Sequence, residues 1–179
     1  LIMSLIGVEC NADRYFFGRL LENKNIIRKE RNDLEVINGV ANKSKGNFSI
    51  GIIDVDKQKK LPTEFEIIFE NNNSNIYKHK TNFQFLILVG PRQLEHFLKE
   101  YLRTENKEIT EFGFIDFNHF METSKSLKPE MNANFKSVID FIIDNFANNN
   151  NHINTLKKQI NFIIEEKYNF TIEEFNNIQ

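Results

Sequence analysis

Residues 48–56, FSIGIIDVD, are the stretch that decides the fold. The residues at 48–53 are apolar or small, so they predict a strand that is buried on both faces. Such strands belong in a mostly parallel sheet covered by helices. Asp54 and Asp56 come at the end of this strand. Ligands of open α/β sheets bind beyond that end.

Other apolar segments extend the predicted sheet on both sides of this stretch. Residues 2–9, IMSLIGVE, predict a first strand that ends in Glu9, and FQFLILV at 83–89 predicts a central strand. Two more strands are predicted at 64–69 and 76–80. The opening segment has no basic stretch before it and no small-residue cleavage site closely after it, so we interpret it as a strand and not as a signal peptide.

Apolar residues at helical spacing predict helices between these strands. The segment 12–23 is amphipathic, and Asn11 before it is a suitable N-cap. Asp33–Asn38 is predicted to be a short strand. A second helix is indicated by residues that share one face: Leu94, Phe97, Leu98, Tyr101 and Leu102.

The sequence becomes mainly helical in character after residue 105. We interpret 135–146 and 153–168 as helices and 120–132 as mostly loop. The sequence of residues 109–115 does not clearly favour a helix or a strand, and we expect a short strand there.

The sequence therefore predicts two parts. Residues 1–105 form an α/β core around a mostly parallel sheet, and residues 106–179 form a mainly helical C-terminal extension that packs on the core.

Composition excludes several classes of protein. The 179 residues are 40% hydrophobic and 27% charged. This balance is typical of a globular chain. No run approaches the roughly 18 apolar residues of a membrane-spanning helix. The single cysteine, Cys10, excludes a disulfide framework and a Cys-rich zinc site, and it favours a cytoplasmic location. With a net charge of −2, affinity for nucleic acid must come from a local patch or from metal ions.

Three carboxylates are candidate metal ligands. Asp54 and Asp56 point the same way from an extended chain, and Glu9 comes close to them if the strands before these acids are neighbours. Three acids repel each other unless a cation lies between them, and oxygen ligands of this kind suit Mg²⁺. Taken alone, an Asp-x-Asp pair is equally typical of a solvated turn.

Two motifs together resemble the Toprim domain. They are VECNADRYFFGRLL at 8–21 and SIGIIDVDK at 49–57, and the resemblance covers residues 3–102. The Toprim domain is shared by type IA topoisomerases, primases, recombination mediators and the overcoming-lysogenisation-defect nucleases. The resemblance implies an α/β fold with a carboxylate site for Mg²⁺ or Mn²⁺.

The resemblance also implies roles for individual acids. Glu9 matches the family's general acid/base or metal ligand, and Asp54 and Asp56 match the pair that binds Mg²⁺. Asp13 matches an acid that is often present in the following helix. Glu95 is a match for the later acid that completes a second metal site in nuclease members.

Two departures from the family pattern narrow the expected activity. Cys10 stands where the family usually has Gly, and the run 57–60 stands where topoisomerases and primases have a Gly. The nuclease-like and phage-defence branches are therefore favoured. Lys57, Lys59 and Lys60 lie beside the Asp pair and are candidate phosphate contacts; a solvated turn is the other interpretation.

The expected function is Mg²⁺-dependent phosphodiester cleavage of DNA or RNA. We expect the protein to act as the effector of a phage-defence system and to have a protein partner in that system. The alternative is a non-catalytic Toprim-like module for protein interaction or nucleic-acid binding, in which the acids are structural. Cys10 as a nucleophile is disfavoured because no His lies near it in the sequence.

Overall fold

The computed structural model describes residues 5–55 and 60–178 as an α/β structure with one six-stranded sheet. The strands are β1 Ile6–Val8, β2 Ile27–Lys29, β3 Ser49–Asp54, β4 Phe65–Glu70, β5 Ser74–His79 and β6 Gln84–Val89. The helices of this part are α1 Asn11–Leu20, α2 Asp33–Asn38, α3 Leu94–Thr104, α4 Phe117–Ser124, α5 Ala133–Phe146, α6 His152–Glu166 and α7 Ile172–Phe175.

The sheet is mostly parallel, as the sequence predicts. Its strand order is β2-β1-β3-β6-β5-β4, with parallel pairing from β2 to β6 and antiparallel pairing of β5 with both neighbours. The predicted pairing of the strands before Glu9 and Asp54 is confirmed, because Ile6 lies opposite Ile50 and Val8 opposite Ile52. Both strands therefore end at the same edge of the sheet.

The central strand β6 is buried on both faces. Phe85, Ile87 and Val89 contact the main hydrophobic cluster, which includes residues of α1 and α3. Leu86 and Leu88 contact a second, smaller cluster under α2. This confirms the prediction for 83–89 and explains why the middle of the segment is continuously apolar.

The C-terminal helices contribute to the main cluster as well. Phe120, Phe135, Ile160 and Phe175 are buried in it together with side chains of α1 and α3. The division of the chain at residue 105 stays a prediction about domain boundaries. No helix of the described residues is long and apolar enough to cross a membrane.

The predicted strand at Asp33–Asn38 is wrong, because this segment is helix α2. The side chain of Asn32 accepts a hydrogen bond from the Glu35 N–H at 2.9 Å. This bond caps the helix. Val36 and Val40, four residues apart, are both buried in the second cluster. A π-helical turn continues the chain from α2 over 39–43.

The start of α1 also differs from the prediction. Its N-cap is Cys10 and not Asn11, because the Cys10 thiol accepts the Asp13 N–H. The helix ends at Leu20, and the chain then forms the edge strand β2, which the sequence pattern did not predict. With a length of three residues, β2 is too short to show a periodic pattern.

The segment after α3 contains more helix than predicted. Ile109–Phe112 is a 3₁₀-helix and not a strand, and Gly113 ends it with φ 85°. Glycine adopts this left-handed conformation without a steric penalty. Within the predicted loop 120–132, α4 continues to Ser124 and Pro129–Met131 forms a 3₁₀ turn. The side chain of Asp116 accepts the His119 N–H at 2.8 Å and starts α4.

We expect substitutions in β6 to be strongly destabilising. Leu86→Ala or Ile87→Ala would leave a cavity in one of the two clusters and lower the free energy of unfolding by about 2–5 kcal/mol. Both side chains are fully buried.

Leu34→Ala on α2 is the control, because the side chain that it removes is 70% exposed. This substitution should change stability by about 0.5 kcal/mol or less. Urea denaturation measures the free energy of unfolding of the wild type and of all three variants. In a separate hydrogen-exchange measurement, fast exchange of the amides of β6 would contradict a central, buried position of this strand.

Candidate functional site

The parallel pairing of β1 and β3 brings two predicted site residues together. Glu9 follows β1 and Asp54 is the last residue of β3, and their carboxyl groups hydrogen-bond to each other. Asp54 Oδ1 also accepts the Leu94 N–H at 2.9 Å. Because Leu94 is the first residue of α3, the edge of the sheet and the start of this helix meet at Asp54.

Two further acids reach the same place from the helices. On α1, Asp13 Oδ2 accepts the Cys10 N–H at 3.1 Å, which completes a capping box with the Cys10 thiol. On α3, Glu95 accepts a hydrogen bond from the Ser124 hydroxyl at the end of α4. We call Glu9, Asp13, Asp54 and Glu95 the acid cluster.

The acid cluster is largely withdrawn from water. Asp13, Glu95 and Asp54 are only 4%, 6% and 9% exposed, whereas Glu9 is half-buried. Burying carboxylates close to one another disfavours their charged forms. Glu9 is therefore the member of the cluster that is most accessible to solvent.

The pKa values of two acids show this effect. The pKa of Asp54 is raised to about 9, first by burial and then by the nearby charges of Asp13 and Glu9. The pKa of Asp13 is raised to about 7, mainly by burial; the charges of Glu9 and Glu95 contribute to the rise, and the hydrogen bonds from Cys10 oppose it. A hydrogen bond between two carboxyl groups needs a proton on one of them, and the raised pKa of Asp54 is in keeping with this.

Cys10 has a structural role in this arrangement. Burial raises the pKa of its thiol well above the ordinary value, and the nearby Asp13 raises it further. The thiol is therefore protonated at neutral pH, which is unsuited to a nucleophile. Its sulfur accepts the Asp13 N–H at 3.3 Å, so it serves as the cap of α1.

The structure brings together some of the predicted site residues, and others lie outside the part of the chain that it describes. Glu9, Asp54 and Glu95 belong to one cluster, and Asp13 joins them. The residues outside the described ranges are Asp56, Lys57 and Lys59. Lys60 is exposed at the start of the next described segment.

The carboxyl groups of Glu9 and Asp54 have the chemistry that Mg²⁺ prefers. Mg²⁺ is usually held by one or two carboxylates, and its remaining positions are taken by water and substrate phosphates. Among residues 5–55 and 60–178, no group of three or more His, Cys, Asp or Glu side chains is arranged to hold a metal ion. Glu9 and Asp54 by themselves are therefore an incomplete ligand set for a metal ion.

Two contributors to this site were not predicted from the sequence. No sequence motif identifies the Leu94 N–H, because any residue other than proline has a backbone N–H at the first position of a helix. Ser124 lies 29 residues from Glu95 in the sequence, and only the packing of α4 on α3 brings them together. By contrast, the three-residue spacing of Cys10 and Asp13 is that of a capping box, so their contact had a local signal.

The chain matches no family model, no curated protein and no solved structure. The resemblance to the Toprim domain therefore stays a prediction, which depends on the two sequence motifs and on the geometry of the acid cluster.

The acid cluster should make the protein less stable as the pH rises. The pKa of Asp54 is higher in the folded state than its ordinary value of 3.8, so folding favours the protonated acid. Its stabilising effect is complete below pH 3.8 and is lost as the pH rises through about 9. The loss is at most about 1.4 kcal/mol per pH unit for one such group. In metal-free buffer, Asp54→Asn should reduce this pH dependence and keep or raise the melting temperature at neutral pH.

Asp116→Asn is the matched control, because it also replaces a carboxylate that accepts a backbone N–H at the start of a helix. Asp116 is exposed and lies outside the acid cluster, so this variant should retain the pH dependence of the wild type. Thermal denaturation at a series of pH values compares the three proteins. A marked loss of stability in Asp54→Asn alone would mean that the ionised carboxylate stabilises the fold.

Proposed function

We propose that the protein is a Toprim-like nuclease that cleaves phosphodiester bonds of nucleic acid with the help of Mg²⁺ or Mn²⁺. The observation that supports this most is the meeting of Glu9 and Asp54 at one edge of the sheet, with Asp13 and Glu95 beside them. The departures at Cys10 and 57–60 favour the nuclease-like and phage-defence members of that family, so a defence effector is the proposed setting.

A purely structural role does not explain why four acids lie close together and largely buried. Withdrawing several carboxylates from water is unfavourable, and their mutual repulsion adds to the penalty. A divalent cation reverses the sign of both effects, because it attracts every carboxylate and displaces the protons they hold. The raised pKa values of Asp13 and Asp54 are thus expected where carboxylates converge to share a cation.

The four acids would have different roles in this reaction. Glu9 and Asp54 would hold the ion, and Asp13 and Glu95 would add negative charge around it. A bound Mg²⁺ neutralises charge on the phosphate and activates water as a nucleophile. Glu9, as the most accessible of the four, would transfer a proton to or from the reacting oxygen.

A second candidate function is a non-catalytic module on the same fold, binding a protein or nucleic acid. The hydrogen bonds of the acids favour it, because three of the four serve the fold: Asp13 closes a capping box, Asp54 accepts the Leu94 N–H and Glu95 accepts from Ser124. In this interpretation, the acid cluster would fix the starts of α1 and α3 and would bind no metal.

Metal titration separates the two functions. We expect millimolar Mn²⁺ to raise the melting temperature of the wild type, since a ligand that binds only the folded state at about 100 times its Kd stabilises by about 2.7 kcal/mol. Asp54→Asn should lose this stabilisation and any Mn²⁺-dependent cleavage of labelled DNA or RNA, because the ion loses a ligand. Asp116→Asn should respond to Mn²⁺ as the wild type does.

The non-catalytic function makes the opposite prediction. Each of the three proteins would melt at the same temperature with and without Mn²⁺, and no substrate would be cleaved. That result would remove the physical basis of the nuclease proposal.

A further inference from the structure

A groove of about 690 Å³ lies along the exposed side of α1. Residues of α1 from Asn11 to Arg19 line one wall, the turn at 22–25 lines its far end, and Glu130 lines it from the segment before α5. Pockets of this volume hold ligands about the size of a nucleotide. We call this feature the α1 groove.

The α1 groove begins at the edge of the sheet that carries the acid cluster. Asn11, at one end of the groove, is two residues from Glu9 and lies on the same helix as Asp13. The Asn11 side-chain amide donates to the Leu127 carbonyl at 2.8 Å, which ties the segment before α5 to the start of α1. Asn11 is therefore the lining residue of the groove that is nearest to Glu9 in the sequence.

The charges in the α1 groove favour an anionic ligand. Arg14 and Lys24 are both exposed, and neither forms an ion pair with any residue of 5–55 and 60–178. Arg19 is already bonded to Asp140, and the carboxylate of Glu22 is bonded to Lys157 at 3.0 Å. Glu130 adds one negative charge, so the positive charges available to a ligand belong to Arg14 and Lys24.

A second cavity, at the opposite edge of the sheet, lacks this character. It has a volume of about 170 Å³ and lies near the starts of β1 and β3. Its cations are already paired, Arg28 with Glu30 at 2.6 Å and Lys43 with Glu35 at 3.1 Å. This second cavity is therefore too small to hold several phosphates, and its two cations are already neutralised by Glu30 and Glu35.

We infer that the α1 groove binds the sugar-phosphate backbone of a single nucleic-acid strand and leads that strand to the acid cluster. This inference rests on the proposed function, which supplies the phosphodiester. Arg and Lys side chains are the usual partners of backbone phosphates, and such contacts position the strand without reading its sequence. Because the groove has room for a ligand about the size of a nucleotide, we take the bound form to be a single strand and not a duplex.

Binding measured without metal tests this inference independently of cleavage. The probe is a fluorescein-labelled single strand of about twelve nucleotides, followed by fluorescence anisotropy in EDTA. For Arg14→Ala with Lys24→Ala, we expect affinity at low salt to fall roughly tenfold or more, and the slope of log K against log salt to fall by about 1.4. The matched control, Lys45→Ala with Arg103→Ala, removes the same charges at exposed sites outside the groove and should bind as the wild type does.

The possible outcomes separate this inference from the proposed function. If both double variants bind equally well, or if the wild type binds no single strand, the inference is overturned, even when cleavage is observed. Tighter binding of a duplex of the same length would also overturn it. If only the groove variant loses affinity, the inference is supported, even when Mn²⁺ produces no cleavage and the nuclease proposal fails.

Discussion

The pairing of β1 with β3 is the constraint on which the candidate site depends. These strands run parallel, with Ile6 opposite Ile50 and Val8 opposite Ile52, so Glu9 after β1 and Asp54 at the end of β3 both lie at the carboxyl ends of neighbouring strands. The consequence is the hydrogen bond between the carboxyl groups of Glu9 and Asp54. A shift of one residue would turn every side chain of the shifted strand to the other face of the sheet.

The same edge of the sheet also determines where the helices begin. Asp54 accepts the first N–H of α3, and Asp13 closes the capping box of α1. Acids are favourable at these positions, because helix N-termini carry partial positive charge. The fold can therefore keep several carboxylates close together, although burial raises the pKa of Asp54 and Asp13. This opposition between local stabilisation and mutual repulsion is what a bound cation would relieve.

Strongly patterned segments of the sequence were sufficient to predict the central strands of the sheet. The continuous apolar runs at 48–53 and 83–89 favour strands buried on two faces, and they form β3 and β6. Short elements such as β2 and α2 were missed or misassigned, because a segment of three to six residues is too short to show a periodic pattern. At 33–38, the cap supplied by Asn32 outweighed the β-branched residues and made a helix.

The candidate site was predictable to the extent that it lies at strand ends. Glu9 and Asp54 were found by that rule, and Asp13 and Glu95 were found through the resemblance to the Toprim domain. The contact between Ser124 and Glu95 was not predictable, because it depends on how α4 packs against α3. Long-range packing of this kind leaves no local signal in the sequence.

A crystal structure of the protein soaked in Mn²⁺, with anomalous data, tests the central claim most directly. If the acid cluster is a cation site, an anomalous peak will lie between the carboxylates of Glu9 and Asp54, and the hydrogen bond between them will be broken. If the cluster is structural, no peak will appear there, and Asp54 will keep its bonds to Glu9 and to the Leu94 N–H. The second result would contradict the assignment of the acid cluster as a cation site.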